Sequence, residues 1–398
     1  MKKPKQPAPA HPEERDEFLA DKLVDLALDL RGIELYATLP EPMKKQQSEA
    51  RKLINKCLQQ KRERVFDEAL ERTLEEDPAA HRALRAQLEE LSGTLVQRRD
   101  DGPDLEVNAF VIPMFVHTTG GLREDECFQD DAAFDALRDS IQEGGLESRR
   151  ASVVLVAHAY HPDELERIGF AALSEMVREA LEAMTRKKGT AAQAIAASMR
   201  GWPPHAFAPE DNAVELRFLL GFALKTLDDP FYQIPEKEAA ADRYFSQRAE
   251  RFRAWSQCHA DVLQRCLVAP GREAQIDCLY QDLFHGGLAT GLNEYAMLDV
   301  LAELRRQLEA QGVEAAALKA IVGPTEADDG AILRVSLVTA DEAQVAAADK
   351  PVVLGDDVRA AAEEVCDALD ALGVRAFGIA REFDTDGNPV GVRPYTPR

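Results

Sequence analysis

Ile276-Asp-Cys-Leu-Tyr-Gln-Asp-Leu-Phe284, with the residues that follow it to Pro394, decides how this chain is read. The run is short and apolar, as a strand is, and a glycine-rich turn separates it from Leu292–Leu308, where apolar residues recur at helical spacing. Ala315–Val322 and Ile332–Val338 flank the Pro/Asp/Gly-rich turn Gly323–Gly330 and read as a hairpin. A second amphipathic helix, Val358–Leu372, stops at Gly373, and Ala376–Phe383 supplies another strand. Asp386-Gly387-Asn388 then turns that strand into a short return strand, Val390–Arg393. The order β-α-β-β-α-β predicts a ferredoxin-like unit, an antiparallel sheet with both helices on one face.

Upstream, Val107-Asn-Ala-Phe-Val-Ile-Pro-Met-Phe-Val116 is a nearly continuous apolar run of the kind a central strand needs. Pro113 cannot donate to a ladder, so an edge or a bulge is expected there. Helix Ala132–Glu143, strand Ala151–Ala159, helix Asp163–Met184 and strand Asn212–Leu224 give the cadence of a second ferredoxin-like module. Glu238–Leu267 reads as one long helix joining the two modules, with Tyr244, Phe245, Phe252, Trp255, Val262 and Cys266 on its apolar side.

The amino-terminal part is helical, with segments at Glu13–Leu30, Lys45–Gln59, Glu63–Leu74 and Pro78–Leu95. Asp77-Pro78 supplies an N-cap carboxylate and a proline in the first helical position. The sequence therefore divides into a disordered tail (1–12), a helical unit (13–100), a first α/β domain (101–225), a connecting helix (226–272) and a ferredoxin-like domain (273–398). The fold class expected is α+β.

The chain has 71 acidic and 48 basic residues, a formal charge of −23, which repels phosphate backbones and anionic membranes at long range. No apolar stretch is long enough to span a bilayer, and the first twelve residues lack a signal peptide's apolar core, so the cytoplasm is the expected compartment. Six scattered cysteines form no Cys-x-x-Cys pair, and reduced, buried thiols are expected, Cys258 beside His259 included.

Three predicted strands end in histidine: His117, His158 with His161 three residues on, and His285. Imidazoles converging at strand ends could bind a metal or move protons. Glycines follow two of them, Gly120 and Gly121 after His117, Gly286 and Gly287 after His285, and backbone amides at such turns can cradle an anion. Neither stretch matches a phosphate-loop or dinucleotide fingerprint, and a tight turn is the simpler reading.

Met43–Arg64 concentrates Lys44, Lys45, Lys52 and Lys56 with four further basic residues, against two glutamates. It is read either as an anchor for an anionic partner such as RNA, or as a solvated face docked on the protein's own acidic body. Asp384-Thr-Asp386-Gly-Asn388 departs from calcium-loop spacing and reads as a hairpin turn. Arg375–Phe383 has the aromatics of an RNA-recognition strand, on the fourth strand of the unit instead of the third.

Lys52-Leu-Ile-Asn-Lys-Cys-Leu, Phe66-Asp-Glu-Ala-Leu, Glu76-Asp-Pro-Ala-Ala-His and Val111-Ile-Pro-Met resemble a betaproteobacterial family of unknown function, domain of unknown function 2863, over about residues 18–170. The resemblance implies a serine-containing aromatic segment after the first strand, where this chain has His117-Thr-Thr-Gly-Gly. It supplies a class and no chemistry. The residues leave a non-enzymatic regulator or scaffold that binds a protein or a small ligand as the first expectation. The alternative is a hydrolase or transferase using the strand-end histidines and a divalent metal; no residue pattern specifies a cofactor or an oligomeric state.

Overall fold

The computed structural model describes residues 12–31, 41–118, 128, 130–185, 214–267, 274–279, 282–327, 330–353 and 356–397. They group into two compact units, one of residues 1–73 and 83–291, the other of 74–82 and 292–398. The fold is mixed α+β.

Four helices come first: α1 (Pro12–Asp29), α2 (Glu41–Gln59), α3 (Glu63–Glu76) and α4 (Pro78–Gly93). Asp77 Oδ1 accepts from Ala79 N at 2.8 Å, the cap expected of the Asp-Pro pair. The first sheet is built from β1 (Thr94–Gln97), β2 (Leu105–Thr118), β3 (Ser152–Tyr160), β4 (Val214–Thr226), β5 (Ala274–Cys278) and β6 (Asp282–Leu283). Helices α5 (Asp131–Glu143), α6 (Pro162–Glu166), α7 (Phe170–Thr185) and α8 (Glu238–Leu267) connect them.

The sheet runs β1-β2-β4-β3, and β1, β6 and β5 follow one another along the same edge of β2. Every pairing in it is antiparallel. Strand-helix-strand cadence fixes neither direction nor neighbours, and β4 lies between β2 and β3. Pro113 sits where the ladder breaks between β5 and β6, and its carbonyl accepts from Leu279 N at 3.0 Å. In a strand the N–H and C=O of one residue point the same way, so the donor that proline lacks faces that gap.

One face of this sheet presents Phe110, Ile112, Met114, Val116, Leu155 and Leu219 to α5 and α8. Trp255 of α8 is 1 % exposed and gives its indole N–H to Ser140 Oγ of α5 at 2.8 Å, so its polar edge is satisfied inside the core. The opposite face receives the start of α9 (Phe284–Gln311). Here the expected glycine turn is corrected, for Gly286, Gly287 and Gly291 are helical. A Cβ on Gly287 would stand 2.8 Å from the Val111 carbonyl oxygen, and one on Gly291 2.7 Å from the Phe218 ring. These glycines let a helix lie directly on strands β2 and β4.

The second unit's sheet has the order β13-β10-β7-β8-β9. Its strands are β7 (Lys319–Ala327), β8 (Gly330–Val338), β9 (Gln344–Val352), β10 (Ala376–Ile379) and β13 (Arg393–Tyr395). The pair β7 and β10 is parallel, the rest antiparallel. The strand expected to open this sheet, near Ile276, pairs with β2 of the other sheet. The order is therefore α-β-β-β-α-β, not β-α-β-β-α-β, with β9 an additional strand.

The expected placing of the helices holds. Val300 and Leu304 of α9 and Val365 and Leu369 of α10 (Val358–Leu369) bury one face, formed by Ala320, Val322, Val335 and Leu337. On the other face a smaller cluster, Ile321, Val338, Ala380 and Phe383, is closed by the β11 (Glu382–Phe383) and β12 (Pro389–Val390) hairpin.

Candidate functional site

The strand-end histidines come to rest on three different sets of neighbours. His117 is exposed at the end of β2, its Nε2 3.9 Å from Asp277 Oδ2 of β5. His158 Nε2 lies 3.3 Å from the buried Glu164 carboxylate, and His161 caps α6, its Nδ1 accepting from Asp163 N at 3.2 Å. Glu164 returns to His161 N at 2.8 Å, closing a capping box. His285 opens α9 against Ser92 Oγ at 3.1 Å and the Phe170 and Phe284 rings. Burial, with the Arg85 charge, holds its pKa down at about 4, so the ring is neutral at physiological pH.

His285 and His117 are also far apart: β6 pairs Leu283 with Phe110, seven residues before His117, or about 20 Å along the strand. Among the described residues no three His, Cys, Asp or Glu side chains are grouped as a metal site. Gly120 and Gly121 lie outside the described residues, and Gly286 and Gly287 are inside α9.

The basic helices are largely neutralised from within. Arg51 makes a two-pronged pair with Glu90 at 2.7 and 2.9 Å, Lys44 pairs with Glu41 at 2.9 Å and Arg64 with Glu68 at 2.8 Å, while Arg62 meets Asp16 and Lys61 meets Glu175. Lys45, Lys52 and Lys56 are exposed. The loop at Asp384 is a hairpin turn: Asp384 Oδ1 accepts from Asn388 N at 2.7 Å, and Gly387 takes φ +79°. Phe377 and Phe383 bury their rings in separate clusters and so form no stacking platform. Of the cysteines, Cys57, Cys266 and Cys366 are buried as expected, whereas Cys258 is exposed.

The arrangement that the sequence did not reveal lies between the α5–β3 connection and the 3-10 turn Pro230–Tyr232. After α5 the chain turns through Gly144 and Gly145, the latter at φ +71°, and delivers Glu147 and Ser148 inward. Asp229 accepts from Ser148 Oγ at 2.6 Å and from Phe231 N at 3.0 Å. The Tyr232 hydroxyl donates to Glu147 Oε2 at 2.6 Å and accepts from Ser148 N at 3.0 Å. The Lys225 ammonium stands 4.2 Å from the Tyr232 ring centre and 2.9 Å from Glu106 Oε1.

Burial raises the Glu147 pKa against the lowering effect of the Tyr232 hydrogen bond, and burial with the Glu147 charge raises that of Tyr232. The Ser148 hydroxyl holds Asp229 below the ordinary carboxylate range. Glu147, Ser148 and Asp229 are at most 6 % exposed, so a substrate cannot reach them, and hydrogen bonds among these groups satisfy one another. What they make is a clamp on the turn.

Beside that clamp three large hydrophobic side chains are exposed. Leu227 is 40 %, Ile234 53 % and Phe245 52 % exposed, while Arg248 and Arg251 lie over the Phe231 ring at 5.8 and 5.5 Å from its centre. Helix α8 buries Phe252, Trp255, Leu263, Cys266 and Leu267, none of them before residue 252. Residues 238–251 contribute no buried side chain. The result is a rigidly mounted helical segment with exposed aromatic and aliphatic side chains.

A family model described as a protein of unknown function (DUF2863) matches residues 19–368, well beyond the amino-terminal segments that carry the resemblance. No curated protein and no solved structure matches the chain.

Proposed function

We propose that this chain, which belongs to the DUF2863 family, is a non-enzymatic binding protein whose docking face is the amino-terminal half of α8 together with the clamped turn before it. One observation carries the reading: Ile234 and Phe245, each more than half exposed, stand beside a turn held by a buried Ser148–Asp229 and Tyr232–Glu147 network. A large apolar side chain in water costs about 1.5–3 kcal/mol of unrealised burial, and pre-ordering its support lowers the entropy cost of docking. Glu147, Ser148 and Asp229 are closed off from solvent, and His161 and Glu164 already serve as caps.

The test compares wild-type protein with Ile234→Asp/Phe245→Asp in purification from native lysate, identifying what is retained. Both positions are exposed, so the double variant is expected to melt with the wild type and to lose the retained species. Retention of the same species by both proteins removes this face from the function.

A further inference from the structure

We propose that the occupant of this face is a second copy of the chain, whose α8 runs antiparallel to the first; the proposal rests on the docking reading above. Ala241, Phe245 and Ala249 recur every four residues and so form one stripe, in which the exposed Phe245 projects between two alanines. A large residue flanked by small ones is self-complementary under a two-fold axis, which brings the same patch of both subunits together. Phe245 of each copy then packs beside Ala249 of the other.

Charge sets the register. Asp242 and Arg253 are both exposed, neither forms an ion pair among the described residues, and they lie eleven residues apart, three turns along the same flank of the stripe. A two-fold axis midway between them, at Gln247–Arg248, places Asp242 of each copy against Arg253 of the other, twice per dimer. Charge also singles out the segment. Two bodies of −23 repel each other, but residues 238–253 hold Arg243, Arg248, Arg251 and Arg253 against Glu238, Asp242 and Glu250, so this helical segment lacks the acidic excess of the chain as a whole.

The contact is small. Sixteen helical residues with Ile234 and Leu227 fall below the roughly 1,200 Å² of a standard stable interface, so the dimer is weak, with a dissociation constant on the order of micromolar.

Sedimentation velocity of the full chain over roughly 1 to 200 µM tests this directly. Wild-type protein is expected to move from monomer to dimer across that range, and Phe245→Asp to weaken association at least about tenfold while its circular dichroism and melting stay unchanged. Asp242→Arg alone and Arg253→Asp alone are each expected to weaken it about threefold, and the combined swap to restore it, since only an antiparallel pair joins these positions across copies. A monomer at every concentration, a dimer indifferent to Phe245→Asp, or a swap without rescue overturns the second-copy assignment. If the protein stays monomeric while Phe245→Asp still abolishes retention of some other polypeptide, the docking reading stands and this occupant is wrong.

Discussion

His285 is the residue whose surroundings translate most directly into a measurable pH dependence. Its folded pKa of about 4 lies below the unfolded 6.5, so the folded state holds the neutral ring. The stability this confers is complete above pH 6.5 and is lost as pH falls towards 4, by at most about 3 kcal/mol. His285→Asn is expected to flatten the decline in denaturant midpoint between pH 7 and 4.5; an unchanged slope would show that the ring carries none of it. Tyr232→Phe probes the clamp in the same way. It removes the donor to Glu147 and is expected to destabilise by about 1–3 kcal/mol. Because burial has raised the Glu147 pKa, the variant's deficit grows as pH rises through that carboxyl's titration and shrinks below it, which a pH series of unfolding curves reads. Lys350 is the contrasting case, 3 % exposed and bonded to Asn293 Oδ1 at 2.6 Å, with its pKa lowered by burial. Lys350→Met is expected to be neutral or stabilising in urea unfolding, since a buried charge with no ion pair among the described residues is costly to keep; a loss above about 2 kcal/mol would contradict that.

At the scale of elements, α9 shows where a local reading and the fold part company. Gly286, Gly287 and Gly291 look like turn residues because glycine is poor in helices, and only the nearness of Val111 and Phe218, some 70 to 180 residues away, explains Gly287 and Gly291. Gly287→Ala ought to gain about 1 kcal/mol from propensity alone, yet its methyl meets the Val111 backbone, so a net loss of about 1–3 kcal/mol is expected in thermal unfolding. A gain would mean that the helix can lift off the sheet. Helix α8 was legible to its last residue, since Phe252, Trp255 and Cys266 repeat at helical spacing. Strand β9 was not, because Gln344–Val352 is rich in alanine and carries charges. Its outer edge is covered from α9: Gln307 donates to Ala347 O at 2.8 Å and accepts from Ala347 N at 3.0 Å, and Gln311 donates to Val345 O at 2.7 Å. A side-chain amide there takes the place of a neighbouring strand, protecting an edge that would otherwise pair with other chains. Helix-to-edge bonds of this kind leave no periodic signature in the sequence.

For the whole molecule, segments that match in spacing told less than segments that meet in space. The run at Ile276 has a strand's composition and becomes one, but its pairing partner is β2, because composition decides that a strand forms and not which sheet receives it. The clamp was hidden for the same reason: Glu147 and Ser148 stand more than eighty positions from their partners Tyr232 and Asp229. The exposed face of α8 was hidden differently. Tyr244, Phe245 and Phe252 look alike in a periodicity plot, yet only Phe252 enters the core. No helix among the described residues is long and apolar enough to cross a membrane. The account turns on that face having an occupant. A photo-activatable phenylalanine analogue placed at position 245 in living cells, with the same analogue at exposed Arg359 of α10 as control, tests it most directly. A discrete adduct from position 245, at twice the chain's mass, and none from 359 is the expected result; no adduct from 245, or equal adducts from both, would contradict it.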